Sequence, residues 1–241
     1  MDFFVAVAEW LGQPGRWSGS DGIPVRIGEH VVLSGLALAV AAAVALPVGV
    51  TLGHAGRGGF FAVNVAGVGR ALPSLALLAL ALPVSFALGG GLGFWPTFLA
   101  MVPLGIPPIL TNSFIAVREV DRDVVESARG MGLREAQILQ QVELPLGAPL
   151  IIAGLRTAAV AIVATATLGA LVAGGGLGRL IVDGLALQEY ERLFVGAVLV
   201  ALLAVGTELA FAVFERVTAP RPGRESGRGT LPVVSSAARP V

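Results

Sequence analysis

Five long apolar stretches leave this chain few folds to choose from. A bilayer core of about 30 Å is crossed by roughly 20 helical residues rising about 1.5 Å each. Stretches of that length and character occupy residues 31–52, 60–86, 95–117, 147–173 and 193–217. Of 241 residues, 55% are hydrophobic and 13% charged, against about 25% charged in soluble domains. The expected fold is therefore an all-α integral membrane protein of five transmembrane helices.

The rest of the composition removes whole classes of function. Formal net charge is zero, which gives no footing for nucleic acid. Without cysteine there is no disulfide, thiolate chemistry or Cys-based metal site. All 16 basic residues are Arg. A phosphate-binding P-loop ends in Gly-Lys-Ser/Thr, so a chain without Lys carries none. If the system uses ATP, another subunit binds it. His30 and His54 stand at opposite ends of the first span and cannot share a metal.

Five spans put the termini on opposite sides of the membrane. With the 118–145 loop in the cytoplasm, Arg57, Arg118, Arg122, Arg129, Arg134, Arg216, Arg221, Arg224, Arg228 and Arg239 face inward, and only Arg16, Arg26, Arg179 and Arg192 face outward. Basic residues favour the cytoplasmic side. The N-terminus is accordingly placed outside and the C-terminus inside. Residues 1–30 form an outer segment, in which 2–11 read as a short interfacial helix with Trp10 and Trp17 at headgroup level, or as a loosely ordered terminus. The tail 219–241, rich in Pro, Gly, Ser and Arg, reads as disordered.

Between the third and fourth spans the pattern changes. Asp121 or Asp123 caps a short helix reaching about Arg129, and Asp123-x-x-Glu126 has capping-box spacing. Gly130 and Gly132 permit a sharp turn. A second short amphipathic helix covers about 133–142, and Pro145 stops it and redirects the chain into the fourth span. Two short helices on a Gly hinge make a compact knob, in which Ser127, Ala128, Gly130 and Gly132 let another surface approach closely. An ordered polar loop of this length calls for a function, and a docking surface is the reading adopted.

Here the chain resembles a known family. Glu126-Ser127-Ala128, then Gly132, then Val142-Glu143-Leu144-Pro145 match the EAA loop of binding-protein-dependent ABC importer permeases, with Ser127 in place of the usual Ala and Val142 in place of Ile. The strings 71–78, 142–146, 153–158 and 174–178 are similar to its osmoprotectant, quaternary-amine branch. The resemblance covers about 27–217. It implies a permease domain whose coupling loop inserts into a cytoplasmic ATPase subunit, with Glu126, Ser127, Ala128, Gly132 and Leu133 as the coupling residues. It also implies ATP and Mg in that partner and no cofactor in this chain. An external substrate-binding protein, a second permease chain and a bacterial cytoplasmic membrane complete the expected assembly. The cargo implied is glycine betaine, choline or carnitine. The alternatives are a permease of the same architecture for another small solute, such as an amino acid or sulfonate, or a membrane protein outside the ABC class.

Arg70, Arg156 and Glu208 fall inside predicted spans, where a lone charge facing lipid costs several kcal/mol. Glu208 is expected to pair with Arg156 or Arg70, or the charges snorkel to the cytoplasmic surface. No residue has partners suited to catalysis. Ser74, Thr111, Asn112, Ser113, Thr165 and Thr167 are candidates for a translocation path, since prolines nearby open carbonyls that favour a cavity-facing position; ordinary interhelical hydrogen bonding is the competing reading. Trp10, Trp17, Trp95 and Tyr190 all map to the outer side, so the spans hold no aromatic cage of the kind that binds quaternary ammonium. The run Gly174–Gly178 reads as a tight turn leading to an outer segment, 177–192, in reach of the binding protein.

Overall fold

Runs of Ala, Leu and Val close their own backbone hydrogen bonds as helices. The computed structural model, which describes residues 2–218 apart from the side chains of Val63, Ala66, Val68 and Arg70, is helical nearly throughout and has no strand among the described residues. The predicted tail 219–241 lies outside the described residues.

The elements are α1 (Asp2–Gly12), α2 (Ile23–His54), α3 (Gly59–Ala71), α4 (Ser74–Ala87), α5 (Phe94–Arg118), α6 (Arg122–Gly130), α7 (Glu135–Ile138), α8 (Leu144–Thr165), α9 (Gly178–Ala186) and α10 (Tyr190–Thr218). A π-helical turn, Leu139–Glu143, joins α7 to α8, and a 3-10 segment, Ala166–Val172, continues α8. Among the described residues four helical stretches are long and apolar enough to cross a membrane: Ile23–His54, Phe94–Arg118, Glu135–Val172 and Tyr190–Thr218.

The remaining predicted span, 60–86, is not one helix. Pro73 holds extended backbone (φ −64°, ψ 128°) between α3 and α4. A proline offers no N–H to the carbonyl four residues back and pushes its predecessor out of the helical region, so the helix ends at Ala71 and restarts at Ser74. The other prolines behave differently. Pro103, Pro107 and Pro108 lie inside an unbroken α5.

The centre of the bundle is the α2–α5 seam. Ala37, Ala41, Ala45, Gly49 and Gly53 recur every fourth residue and are all buried. One face of α2 therefore carries only small residues, which lets backbones approach. A β-carbon on Gly49 would stand 2.6 Å from Leu110 O, and one on Gly53 2.7 Å from Phe114 O. Gly105 meets Ala41, and Gly53 also meets Val117, so α2 and α5 run parallel and in step. Residues 55–93 must then return the length of the bundle, which α3 and α4 do in two pieces. α8 packs against α5 in the opposite direction, with Gly147 against Ala116 and Gly154 against Asn112. α10 lies on α8 and α9.

α1 docks on this scaffold. Val7 and Trp10 are buried with Ile23, Leu177, Leu180 and Val195. Trp10 is thus a core residue and not a headgroup anchor, because α9 and α10 offer an apolar surface that its ring covers. Trp17 stays exposed and donates from Nε1 to Leu11 O at 2.7 Å.

Candidate functional site

Polar chemistry concentrates where α2 and α5 end and α8 begins. Asp121 accepts from the Asp123 backbone N–H at 2.9 Å and starts α6. Of the two candidate caps Asp121 is the one used, and the 123–126 spacing forms no capping box. Gly130 remains helical as the last residue of α6, and Gly132 alone takes positive φ, +87°. That conformation is costly for a residue with a β-carbon, and it turns the chain so that Leu133 N–H bonds back to Ala128 O at 3.3 Å. Arg134 N–H is capped by Gln137 Oε1 at 2.9 Å, which opens α7.

Across the turn, Arg129 grips Glu135 with both arms, Nε to Oε1 at 2.7 Å and Nη2 to Oε2 at 3.1 Å. This hydrogen-bonded pairing holds the Glu135 carboxyl below the ordinary carboxylate value and the Arg129 guanidinium above its own. The fork fixes α6 relative to α7.

The helix does not stop at Pro145. The path is helical from Glu135 to Val172, because a wider turn intervenes, in which Leu144 N–H reaches Leu139 O, five residues back. Pro145 then falls in the first turn of α8, where its missing donor does least harm. π-turns of this kind mark functional sites more often than chance.

Of the five residues assigned to coupling, Glu126, Ser127 and Gly132 are exposed and Leu133 is half-buried. Ala128 is only 2% exposed and turns away from the outer surface of the knob. Its small size therefore serves packing beneath α6 and not the approach of another surface. Met131, 75% exposed at the tip of the turn, and exposed Val124 were not among the residues expected from the sequence. An apolar side chain flanked by Gly130 and Gly132 was the available signal.

A second feature lies midway along the bundle. Gly69, Leu104, Pro107, Pro108, Thr111, Asn112, Thr157 and Ala161 line a groove of about 330 Å³ between α3, α5 and α8. Pro108 has no N–H for the Leu104 carbonyl, and both residues line this groove. Thr111 and Asn112 were anticipated and Thr157 was not. Ser113 sits on the opposite face of α5, 0% exposed, donating to Ile109 O at 2.7 Å and packed against Gly49. Ser74 starts α4 just past Pro73. Thr165 and Thr167 stand where α8 passes into its 3-10 end, and Thr167 Oγ1 donates to Ala164 O at 2.9 Å.

Arg156 projects from α8 to two carboxylates of α10, with Nε 3.5 Å from Glu208 Oε1 and Nη1 3.2 Å from Glu215 Oε2. Glu215, one helical face-repeat on from Glu208, was not anticipated. The Arg70 side chain lies outside those described.

At the far end, Gly174–Gly178 is a turn whose Gly176 N–H donates to Glu29 Oε2 at 2.7 Å, and His30 donates from Nε2 to Val163 O at 2.9 Å. The backbone donors of a glycine-rich turn attract anions; here a carboxylate of α2 fills that role from within the chain.

Residues 31–219 match the family described as "Binding-protein-dependent transport system inner membrane component". The chain is 36% identical over 192 residues to the choline transport system permease protein OpuBB of Bacillus subtilis, covering 80% of this chain and 86% of that one. It is 36% identical over 205 residues to the carnitine transport permease protein OpuCB of Listeria monocytogenes, covering 85% and 92%. Its fold is shared with a chain of the MetNI methionine ABC transporter in an inward-facing conformation, with TM-score 0.73 at 20% identity over 87% of this chain and 100% of that one.

Proposed function

The chain belongs to the binding-protein-dependent transport system inner membrane components and is a permease of an ABC importer; on that footing we propose that it takes up quaternary-amine osmoprotectants handed to it by an external binding protein. The observation that carries the cargo is the identity, spread over most of both chains, to permeases named for choline and for carnitine.

In this reading the polypeptide crosses the bacterial inner membrane five times, with α3 and α4 together making the second crossing. The N-terminus is outside and the C-terminus cytoplasmic. The parallel packing of α2 and α5 supports this, since the chain between them has the whole bundle to retrace. The permease domain spans about 27–217, after an outer segment 1–30 and before the tail 219–241.

The knob of α6 and α7 is the coupling loop. Glu126, Ser127, Gly132 and Leu133, together with exposed Met131, meet a groove on the ATPase subunit, and Ala128 seats α6 beneath them. ATP and Mg belong to that subunit, in keeping with a chain that has no Lys. The groove at Thr111, Asn112 and Thr157 is one wall of the translocation path. A second permease chain, identical or similar, supplies the other wall. Ser74, Thr165 and Thr167 lie along the same route. A path that binds weakly suits transport, so selection of the ammonium group rests with the binding protein.

Purification of the tagged chain from its own host, followed by reconstitution with the ATPase that accompanies it, tests this. ATP-dependent uptake of radiolabelled choline, carnitine or glycine betaine is the expected result. Uptake of an amino acid or sulfonate instead would move the cargo and leave the mechanism. Absence of any associated ATPase would overturn the reading.

A further inference from the structure

Glu143 is a carboxylate in an improbable place. It lies within the π-turn between α7 and α8, is 5% exposed, and follows Val142 in the segment that leads into the bundle. Burying a carboxylate without a partner is costly. His54, the last residue of α2, supplies the partner, with its Nδ1 2.5 Å from Glu143 Oε2. Since a carboxylate oxygen accepts, Nδ1 carries the hydrogen. On the other side of the same ring, Nε2 stands 3.6 Å from Glu135 Oε2, and Glu135 is the residue clamped by Arg129.

The four residues stand in succession from α6 through α7 and the tip of α2 into the π-turn, with hydrogen bonds at the two outer steps and an approach of 3.6 Å at the middle one. Between residues 54 and 143 the backbone makes two traverses of the bundle, so this is a non-local tie. The α2 tip has little freedom of its own, because Gly53 packs against Phe114 O and Val117 of α5. Val117 is also buried. A displacement of the knob therefore reaches α2 and α5 through the imidazole.

We propose that His54 and Glu143 are positioning residues that transmit movement of the coupling loop to α2 and α5, and thereby link ATP hydrolysis to the opening of the path. The pair takes no part in docking itself: Glu143 is buried and His54 lies behind Arg129 and Glu135 with its side chain 22% exposed. A π-turn suits this role, since it places one extra residue in the helix and aims Glu143 at α2, where a regular turn would rotate it away by about 100°.

The inference rests on the chain being an ABC importer permease, and its test is arranged to fail separately from that reading. The wild-type complex, with its ATPase and binding protein in liposomes, is the control. Without a co-purifying ATPase it is the proposed function that fails. Given that control, His54→Ala is expected to retain the ATPase on purification and its basal hydrolysis. Stimulation by the loaded binding protein should fall about tenfold, and more ATP should be spent per solute moved. Glu143→Gln, which keeps an acceptor for Nδ1–H, should recover most of the stimulation, and Glu143→Leu should not. Wild-type stimulation in His54→Ala would overturn the proposal. So would loss of the ATPase from His54→Ala and Glu143→Gln alike, which would make the pair part of the docking surface.

Discussion

Gly49 of α2 lies directly against the Ser113 hydroxyl of α5, with no space for a β-carbon between them. Ser113 turns its own hydroxyl back to Ile109 O and Leu110 O, at 2.7 and 3.1 Å. The seam is thus closed by small size on one side, and the hydroxyl it meets on the other is satisfied within its own helix.

Replacing Gly49 by Leu forces the two backbones apart. Overpacking a tight core costs about 1–3 kcal/mol and sometimes more, and here backbone atoms must shift. The variant should lose most of its thermal stability in detergent and run as aggregate on size exclusion. Ser113→Ala, which removes an already self-satisfied hydroxyl, should be close to neutral in the same assays.

Gly132 has open space around it, with nothing within 4 Å of an added β-carbon, but its φ is +87°. The cost of Gly132→Val is therefore strain in the turn, about 1–3 kcal/mol. It falls on the knob and not on the bundle. Membrane insertion and melting of the spans should be unchanged, while recovery of the ATPase with the tagged permease should drop severalfold.

Arg156 holds Glu208 and Glu215 at once, half-sheltered on the α8–α10 face. Removing only the cation leaves two carboxylates in apolar surroundings. Arg156→Met should cost about 2 kcal/mol, between the values for exposed and buried pairs. The triple variant Arg156→Met, Glu208→Gln, Glu215→Gln should regain much of that. Chemical or thermal unfolding of the three proteins in the same detergent measures the difference.

The Arg129–Glu135 clamp has a defined pH dependence. Glu135 titrates below the ordinary carboxylate value when the loop is folded, so its contribution is full above the unfolded value of about 4.3. It fades as pH falls through the lower folded value. Amide exchange in residues 122–138 should stay slow at neutral pH and quicken in acid, after correction for intrinsic rates, before the spans respond. Glu135→Gln should show the faster exchange already at neutral pH.

How much of this was legible in the sequence divides along a physical line. Hydropathy and length identified the long helices, because a backbone in lipid has one local solution and apolar residues in number suffice to select it. Gly132 marked its turn for the same reason: positive φ is a property of one residue. The small-residue step from Ala37 to Gly53 was also in plain sight, although only α5 reveals what it accommodates.

What neighbours decide could not be read along the chain. Pro73 breaks a helix where Pro103, Pro107 and Pro108 lie inside α5 without breaking it. Pro145 looked like a stop and proved to be the entry to α8, since a wider turn ahead of it absorbs the missing donor. Ala128 and Trp10 were taken for surface residues, and both are buried, Trp10 by elements distant in sequence. His54 and Glu143 stand 89 residues apart, and no local pattern links them. Hydropathy, length and the Gly-hinged polar stretch were enough to specify a helical membrane chain with an ordered polar loop. Which polar groups meet was left to the packing of the helices, because a buried charge is satisfied by whatever the fold brings within about 3 Å, and that distance does not follow from order along the chain.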